Sequence, residues 1–217
     1  MKRITILALA LCMLLTMAAC GGQTTETSQT QVQTITQPTP TPDVSFDLLD
    51  EAVTYYADIE IADYGTVTVQ LDQSAAPVTA ANFVNLAKSG FYNGLTFHRI
   101  ISGFMMQGGD PNGNGTGGSG INIKGEFAVN GHNNPISHER GVISMARARA
   151  YDSASSQFFI MHADYTGLDG QYAAFGYVTE GMDVVDAVCA AAQPTDNNGS
   201  IAKEAQPVIV SVTIREA

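Results

Sequence analysis

The sequence predicts a mainly β domain, an antiparallel sheet closed into a barrel and accompanied by two helices. Three observations predict it. Apolar residues alternate with polar ones near both ends of the folded region, and only two stretches carry helical spacing. Between those stretches lie short apolar segments separated by turn residues. At 217 residues the chain exceeds one ordinary domain of about 100–200. With 45% hydrophobic and 14% charged residues it is neither a wholly disordered chain nor a coiled coil. The surplus length lies at the N-terminus.

Lys2 and Arg3 precede an apolar run from Ile4 to Ala19, the layout of a secretory signal peptide. A run of about 16 residues falls short of the roughly 20 that a membrane span needs. It ends in Met17-Ala18-Ala19-Cys20-Gly21, which resembles a bacterial lipobox, with Cys20 as the lipidated first residue of the mature chain. Met17 stands where that pattern prefers Leu, and an ordinary secretory signal with an incidental cysteine is the alternative. Loss of Lys2 and Arg3 takes the formal charge from −11 to −13. Residues 21–53 read as a disordered Thr/Gln/Pro-rich tether, its distal part extended by Pro38, Pro40 and Pro42. The expected location is extracytoplasmic, anchored by lipid to the bacterial cell membrane, with the folded domain at 54–217.

Within that domain Ile59 and Ile61, then Val67, Val69 and Leu71 beyond Asp63-Tyr64-Gly65, predict a β-hairpin. Pro77 opens a helix in which Val78, Ala81, Phe83, Leu86 and Ala87 recur at helical spacing before Gly90 stops it. Thr96–Ile101, Gly141–Ala146, Gln157–Met161 and Ala173–Val178 are short apolar segments of strand length. A second helix is predicted over Met182–Ala192, with Val184, Val185, Val188 and Cys189 as one stripe, which makes Cys189 a buried small hydrophobe. Val208, Val210, Val212 and Ile214 predict a closing strand at period two.

Several function classes are excluded. A charge of −11 repels phosphate backbones, so no nucleic acid is expected. Three cysteines, Cys12, Cys20 and Cys189, cannot build a disulfide scaffold. His98, His132, His138 and His162 lack zinc spacing, and no metal is expected. Gly113-Asn114-Gly115-Thr116-Gly117-Gly118 fits a dinucleotide pattern, yet no helical repeat follows it, and it reads as a turn-rich loop. Ser153, Ser155 and Ser156 lack the elbow motif of a hydrolase. Arg140, Arg147 and Arg149 form a local basic group, read as a solvated loop able to favour acidic or extended backbones near a groove.

The chemistry concentrates in Phe97-His98-Arg99-Ile100-Ile101-Ser102-Gly103-Phe104-Met105-Met106-Gln107-Gly108-Gly109-Asp110, where Arg99 and Gln107 are embedded among large apolar side chains. Such an arginine needs a partner, and Glu126 or Asp110 would supply one in a purely structural reading; Phe104, Met105, Phe159 and Leu168 would then be plain core. Gly141-Val142-Ile143-Ser144-Met145-Ala146-Arg147, Ser155-Ser156-Gln157-Phe158-Phe159-Ile160 and Leu168-Asp169-Gly170-Gln171-Tyr172-Ala173-Ala174-Phe175-Gly176 have the same character. Together the four stretches resemble the cyclophilin family of peptidyl-prolyl cis-trans isomerases, from about Tyr56 to Ile214.

The resemblance implies an eight-stranded antiparallel barrel with a helix at each end, acting as a monomer without cofactor on proline-containing polypeptides. Arg99 matches the catalytic arginine and Gln107 the glutamine that helps hold substrate. Phe104, Met105, Phe159 and Leu168 match the proline pocket, while Ala146, Arg147 and Gln157 match positions that receive the peptide backbone. Tyr172 replaces a histidine beside the pocket, keeping an aromatic wall. Gly167 replaces the tryptophan of cyclosporin-sensitive members, which implies reduced affinity for that drug. Ser102 replaces a proline, and the Arg149–Ser155 loop is one residue longer than usual. The residue types suit the chemistry: an always-charged arginine beside an apolar hollow can stabilise a prolyl nitrogen as amide resonance is lost. A non-catalytic peptide-binding module or holdase on the same fold is the alternative.

Overall fold

The computed structural model describes residues 47–217. The signal-like segment, Cys12, Cys20 and the tether as far as residue 46 lie outside the described residues. The described chain folds into strands β1 (Tyr55–Ile61), β2 (Gly65–Leu71), β3 (Thr96–Ile101), β4 (Met105–Asp110), β5 (Val142–Met145), β6 (Phe158–Met161), β7 (Ala173–Glu180) and β8 (Ile209–Glu216). Helix α1 (Pro77–Lys88) follows β2, and α2 (Met182–Ala191) follows β7. All neighbouring strands are antiparallel, in the order β3-β4-β6-β5-β7-β2-β1-β8. The two end strands meet at Thr96 and Val208, where Phe97 N–H donates to the Pro207 carbonyl (2.9 Å) and Ile209 N–H to that of Leu95 (2.7 Å). The curled sheet therefore closes through a short seam and not a full ladder. Beyond the seam the outer edge of β3 is taken by the segment after α2. Ile100 N–H donates to the Gly199 carbonyl (2.8 Å), and Ile201 N–H to that of His98 (2.9 Å).

The pleat sorts side chains onto two faces. Ile100, Met106, Ile160 and Ile143 form an inward row across β3, β4, β6 and β5, each fully buried. In place of tryptophan the core holds Phe83, Tyr92, Phe97, Phe158 and Phe175, whose rings contact one another edge-on or tilted at 5.1–5.9 Å. The outward side of the same four strands carries a separate apolar cluster that includes Met105, Phe159 and Met161. These strands are thus apolar on both faces, which is why they read as continuous apolar runs.

Helix α1 starts without a side-chain cap of its own, at Ala76 and Pro77. Its first-turn N–H groups, which have no partner within the helix, are met by Glu126, a buried carboxylate 47–48 residues downstream, which accepts from Val78 N–H (3.0 Å) and Thr79 N–H (2.7 Å). A negative group there also complements the helix dipole.

Three sequence expectations need correction. In α1 the buried set is Thr79, Ala80, Ala81, Asn82, Phe83, Val84 and Ala87, not the stripe through Val78 and Leu86. The helix is covered on a second side, where Asn82 donates to the Ser155 carbonyl (2.7 Å). In β8 the period-two set does not share one face: Val208 and Val210 are exposed while Ile209 and Val212 are buried. A bulge opposite Glu60 and Ile61 shifts the β1–β8 register, and an inserted residue reverses which side faces the core. Finally, residues 47–53 of the stretch read as tether dock on the barrel, with Leu49 and Val53 against the core and Gln73 donating to the Asp50 (2.8 Å) and Val53 (3.0 Å) carbonyls. Cys189 is buried as expected, and burial pushes its thiol up to about 11.

Replacing Glu126 strands two N–H donors at the first turn of α1. Glu126→Ala should lower the unfolding free energy by about 1–3 kcal/mol, and Glu126→Gln, which keeps one acceptor, by less. Chemical denaturation of the two variants checks this.

Candidate active site

The site lies on the outward face of β3, β4, β6 and β5, where cross-strand pairing sets Arg99, Gln107, Phe159 and Ser144 in one transverse row. β3 and β4 are joined by a tight turn in which Phe104 N–H returns to the Ile101 carbonyl (2.9 Å). Gly103 takes φ +78° there, a conformation costly for other residues. The turn brings Arg99 beside Gln107 and carries Phe104 to the rim.

Arg99 is half-buried and makes no ion pair among the described residues. Its Nε–H donates to the Asn198 carbonyl at 2.7 Å, and Nη1 donates to Gln107 Oε1 at 3.3 Å. Burial lowers its pKa, opposed by Tyr172 and Asp196, yet an arginine stays charged in a protein. The acid partners open to it in sequence are engaged elsewhere. Glu126 caps α1, and Asp110 accepts the N–H groups of Asn112 (2.8 Å), Asn114 (3.0 Å) and Gly115 (2.6 Å). Burial alone would raise the Asp110 pKa, but those bonds and His98 hold it below the usual carboxylate range. The glycine-rich motif is accordingly a loop wrapped on a carboxylate, as the sequence indicates. A Cβ on Gly117 would collide with Asp110 Oδ1.

Gln107 is fixed from both ends, since its Nε2 donates to Gln157 Oε1 (2.9 Å) and Gln157 Nε2 donates to the Gly117 carbonyl (2.8 Å). Beside this chain opens a hollow of about 160 Å³ lined by Arg99, Phe104, Met105, Gln107, Ala146, Arg147, Phe159, Leu168 and Tyr172. Of the ten site residues singled out in the sequence, only Gln157 lies outside the lining, in an adjoining polar pocket. Tyr172 meets Phe159 edge-on at 5.8 Å, keeping the aromatic wall.

Sequence reasoning missed the groups that hold this surface in place. Asn198 reaches Arg99 through a backbone carbonyl, which carries no side-chain signature. Its loop is shaped by Asp196, which accepts from Asn198 N–H (2.9 Å), Ser200 N–H (3.0 Å) and the Ser200 hydroxyl (2.8 Å). Beneath the hollow His138 stacks on Phe159, with ring centroids 6.0 Å apart and 19° between planes. His138 also bridges Asp169 Oδ1 (Nδ1, 2.9 Å) and Ser144 Oγ (Nε2, 3.0 Å). The order Ser–His–Asp is that of a hydrolase triad, but Ser144 and His138 are both fully buried and no substrate reaches the hydroxyl. Of the loop arginines, Arg140 is solvated as read, pairing at the surface with both carboxylate oxygens of Asp186 (2.7 and 2.8 Å), whereas Arg147 is half-buried and stacks on three rings. No cluster of metal-ligating side chains occurs among the described residues.

The outer face of the antiparallel barrel thus sets an arginine, without an ion pair among the described residues, beside an apolar hollow. The family model described as cyclophilin type peptidyl-prolyl cis-trans isomerase/CLD matches residues 56–214. A Helicobacter pylori peptidyl-prolyl cis-trans isomerase is 48% identical over 139 residues, 63% of this chain and 82% of that protein. Peptidyl-prolyl cis-trans isomerase B of Bacillus subtilis is 44% identical over 144 residues, 66% of this chain and 92% of that protein. Among solved structures, a Cryptosporidium parvum cyclophilin type peptidyl-prolyl cis-trans isomerase, determined in the presence of the dipeptide Ala-Pro, superposes with TM-score 0.65 at 30% identity. That match covers 74% of this chain and 98% of the other. The chain belongs to the cyclophilin-type peptidyl-prolyl cis-trans isomerase family, whose members are isomerases.

The environment of His138 sets a pH dependence. Burial lowers its pKa and outweighs the opposing pull of Asp169, so the folded state keeps a neutral ring when an unfolded histidine, near 6.5, has begun to protonate. Burial likewise lowers the His98 pKa. The unfolded chain then binds more protons, and stability falls as pH drops below about 6.5. Depressed carboxylates such as Asp169 act only below about 4, outside this window. Denaturant unfolding from pH 7 to 5 should show declining stability in wild type and a shallower decline in His138→Gln; equal slopes would contradict the assignment.

Proposed function

We propose that this chain accelerates rotation about X–Pro bonds in polypeptides that fold outside the cytoplasm, with Arg99 stabilising the prolyl nitrogen and the chain held to a membrane through Cys20. The observation that carries the reading is the Arg99 guanidinium, fixed by a carbonyl and an amide and left without a carboxylate, at the rim of a hollow built from Phe104, Met105, Phe159 and Leu168. Its Nη2 engages no other group among the described residues and so is open to a substrate.

Rotation must overcome roughly 18–20 kcal/mol of lost amide resonance, and no covalent bond is broken. As resonance fades the prolyl nitrogen regains its lone pair, and a hydrogen bond from Arg99 stabilises that state more than the planar one. One charge-assisted bond contributes about 1.5–3 kcal/mol, whereas a 10⁵-fold acceleration requires roughly 7 kcal/mol at 1.36 per decade. The remainder comes from a donor held in advance and a hollow that strips water from the proline ring. Gln107, clamped between Arg99 and Gln157, keeps the donor aimed. Ala146, Arg147 and Gln157 border the passage to the neighbouring pocket and receive the peptide backbone there.

Export and anchoring are supported by Lys2 and Arg3, the apolar run and Met17-Ala18-Ala19-Cys20. Exported chains meet slow X–Pro isomerisation beyond the reach of cytoplasmic helpers. Exchange NMR on the chain from residue 21 onward tests the catalysis: Arg99→Ala should turn over about 10- to 150-fold more slowly while peptide affinity changes little. No turnover in wild type would leave a peptide-binding module. In bacterial cells, labelled fatty acid should enter wild type and not Cys20→Ala, which should leave the membrane fraction.

A further inference from the structure

Arg147 is held where three segments of chain meet. Its guanidinium carbon lies 5.0 Å from the ring centroid of Phe127, 5.3 Å from that of Tyr151 and 4.7 Å from that of Tyr172. Nε–H donates to the Gln171 carbonyl (2.9 Å), and Nη1 donates to the Ala148 carbonyl (3.0 Å). Nη2 has no hydrogen-bond partner, and the side chain makes no ion pair, among the described residues. Exposed arginines bind anions weakly because a long side chain must be immobilised on binding. Here rings and carbonyls have already immobilised it, and an incoming anion meets a charge in place.

The position of Arg147 decides what that charge meets. It lines the apolar hollow and also the adjoining polar pocket of about 380 Å³, of which it is the one charged lining residue. No carboxylate borders that pocket, and its other walls are glycines, small residues, amides and hydroxyls, including Ser153, Ser155 and Asn122. A proline seated in the hollow therefore sends its neighbours along the chain past Arg147, which borders both pockets. The acidic charge of the whole chain does not prevent approach, because at physiological ionic strength charges beyond about 8 Å are screened.

We propose that the polar pocket is a subsite for an acidic side chain, Asp or Glu, near the proline, with its carboxylate held by Nη2 of Arg147. This inference rests on the isomerase reading, since it takes the hollow as the seat of the proline. It makes Arg147 a determinant of which X–Pro bonds the chain selects.

The test uses the chain from residue 21 onward and short peptides with one proline, in which Glu, Gln or Ala is moved through two positions on either side. Affinity is read by NMR titration and turnover by exchange NMR. At one position the Glu peptide should bind about five- to tenfold more tightly than its Gln counterpart at low salt, and the advantage should shrink at about 0.5 M salt. Arg147→Gln should abolish the difference, and Arg147→Lys, which keeps the charge but not the planar fork, should retain part of it. The proposal is overturned if no position prefers Glu over Gln, or if the preference survives in Arg147→Gln. Because affinity is measured apart from turnover, a Glu preference without isomerisation would refute the catalytic reading alone. Isomerisation without a Glu preference would refute only the acidic subsite.

Discussion

A positive charge beside an apolar hollow must be held still without being neutralised, and most of the site is organised by that requirement. A carboxylate against Arg99 would fix it but neutralise its charge and occupy its donors. The protein uses partial charges instead: the Asn198 carbonyl on Nε and the Gln107 amide oxygen on Nη1. Each of these is secured by a loop folded on an aspartate that does not itself touch Arg99. Asp196 gathers the Asn198 loop, and Asp110 gathers the loop whose Gly117 carbonyl ends the Gln107–Gln157 chain. The two full negative charges stand one step back and set geometry, while dipoles make the contact.

The same requirement explains why the sheet is apolar on both sides. The inward row of Ile100, Met106, Ile160 and Ile143 stabilises the barrel by burial, at about 25 cal/mol per Å² of apolar surface removed from water. Outward, Met105, Phe159 and Met161 form a floor with no such role in closing the barrel. That floor is kept in order from below, by the His138 ring stacked on Phe159 and bonded to Ser144 and Asp169. A polar chain thus supports an apolar surface, and its buried imidazole ties the order of the floor to pH.

Seven of the eight strands and both helices were legible because their signals are local, namely period-two alternation, short apolar runs and a Pro-to-Gly helical segment; β4, which carries Gly108 and Gly109, was not read as a strand, and the roles around Arg99 came from the family resemblance. What could not be read depends on partners distant in sequence. The bulge opposite Glu60 and Ile61 belongs to the pairing of β1 with β8, so the alternation of Val208 and Val210 pointed to the wrong face. Glu126 caps a helix 47–48 residues earlier, and nothing in its own neighbourhood marks it as a cap. Asn198 acts through its backbone, whose carbonyl is the same in every residue. Arg147 looked like one of three loop arginines because Phe127, Tyr151 and Tyr172, the rings that hold it, come from separate segments.

The segment after α2 does two things at once. Through Gly199 and Ile201 it satisfies the outer backbone groups of β3, and through Asn198 it aims Arg99. An uncovered strand edge is a template for pairing with another chain. The cover cannot be lifted from that edge without carrying the Asn198 carbonyl away from Arg99. Protection of an open sheet edge and the alignment of Arg99 are therefore under a single structural control.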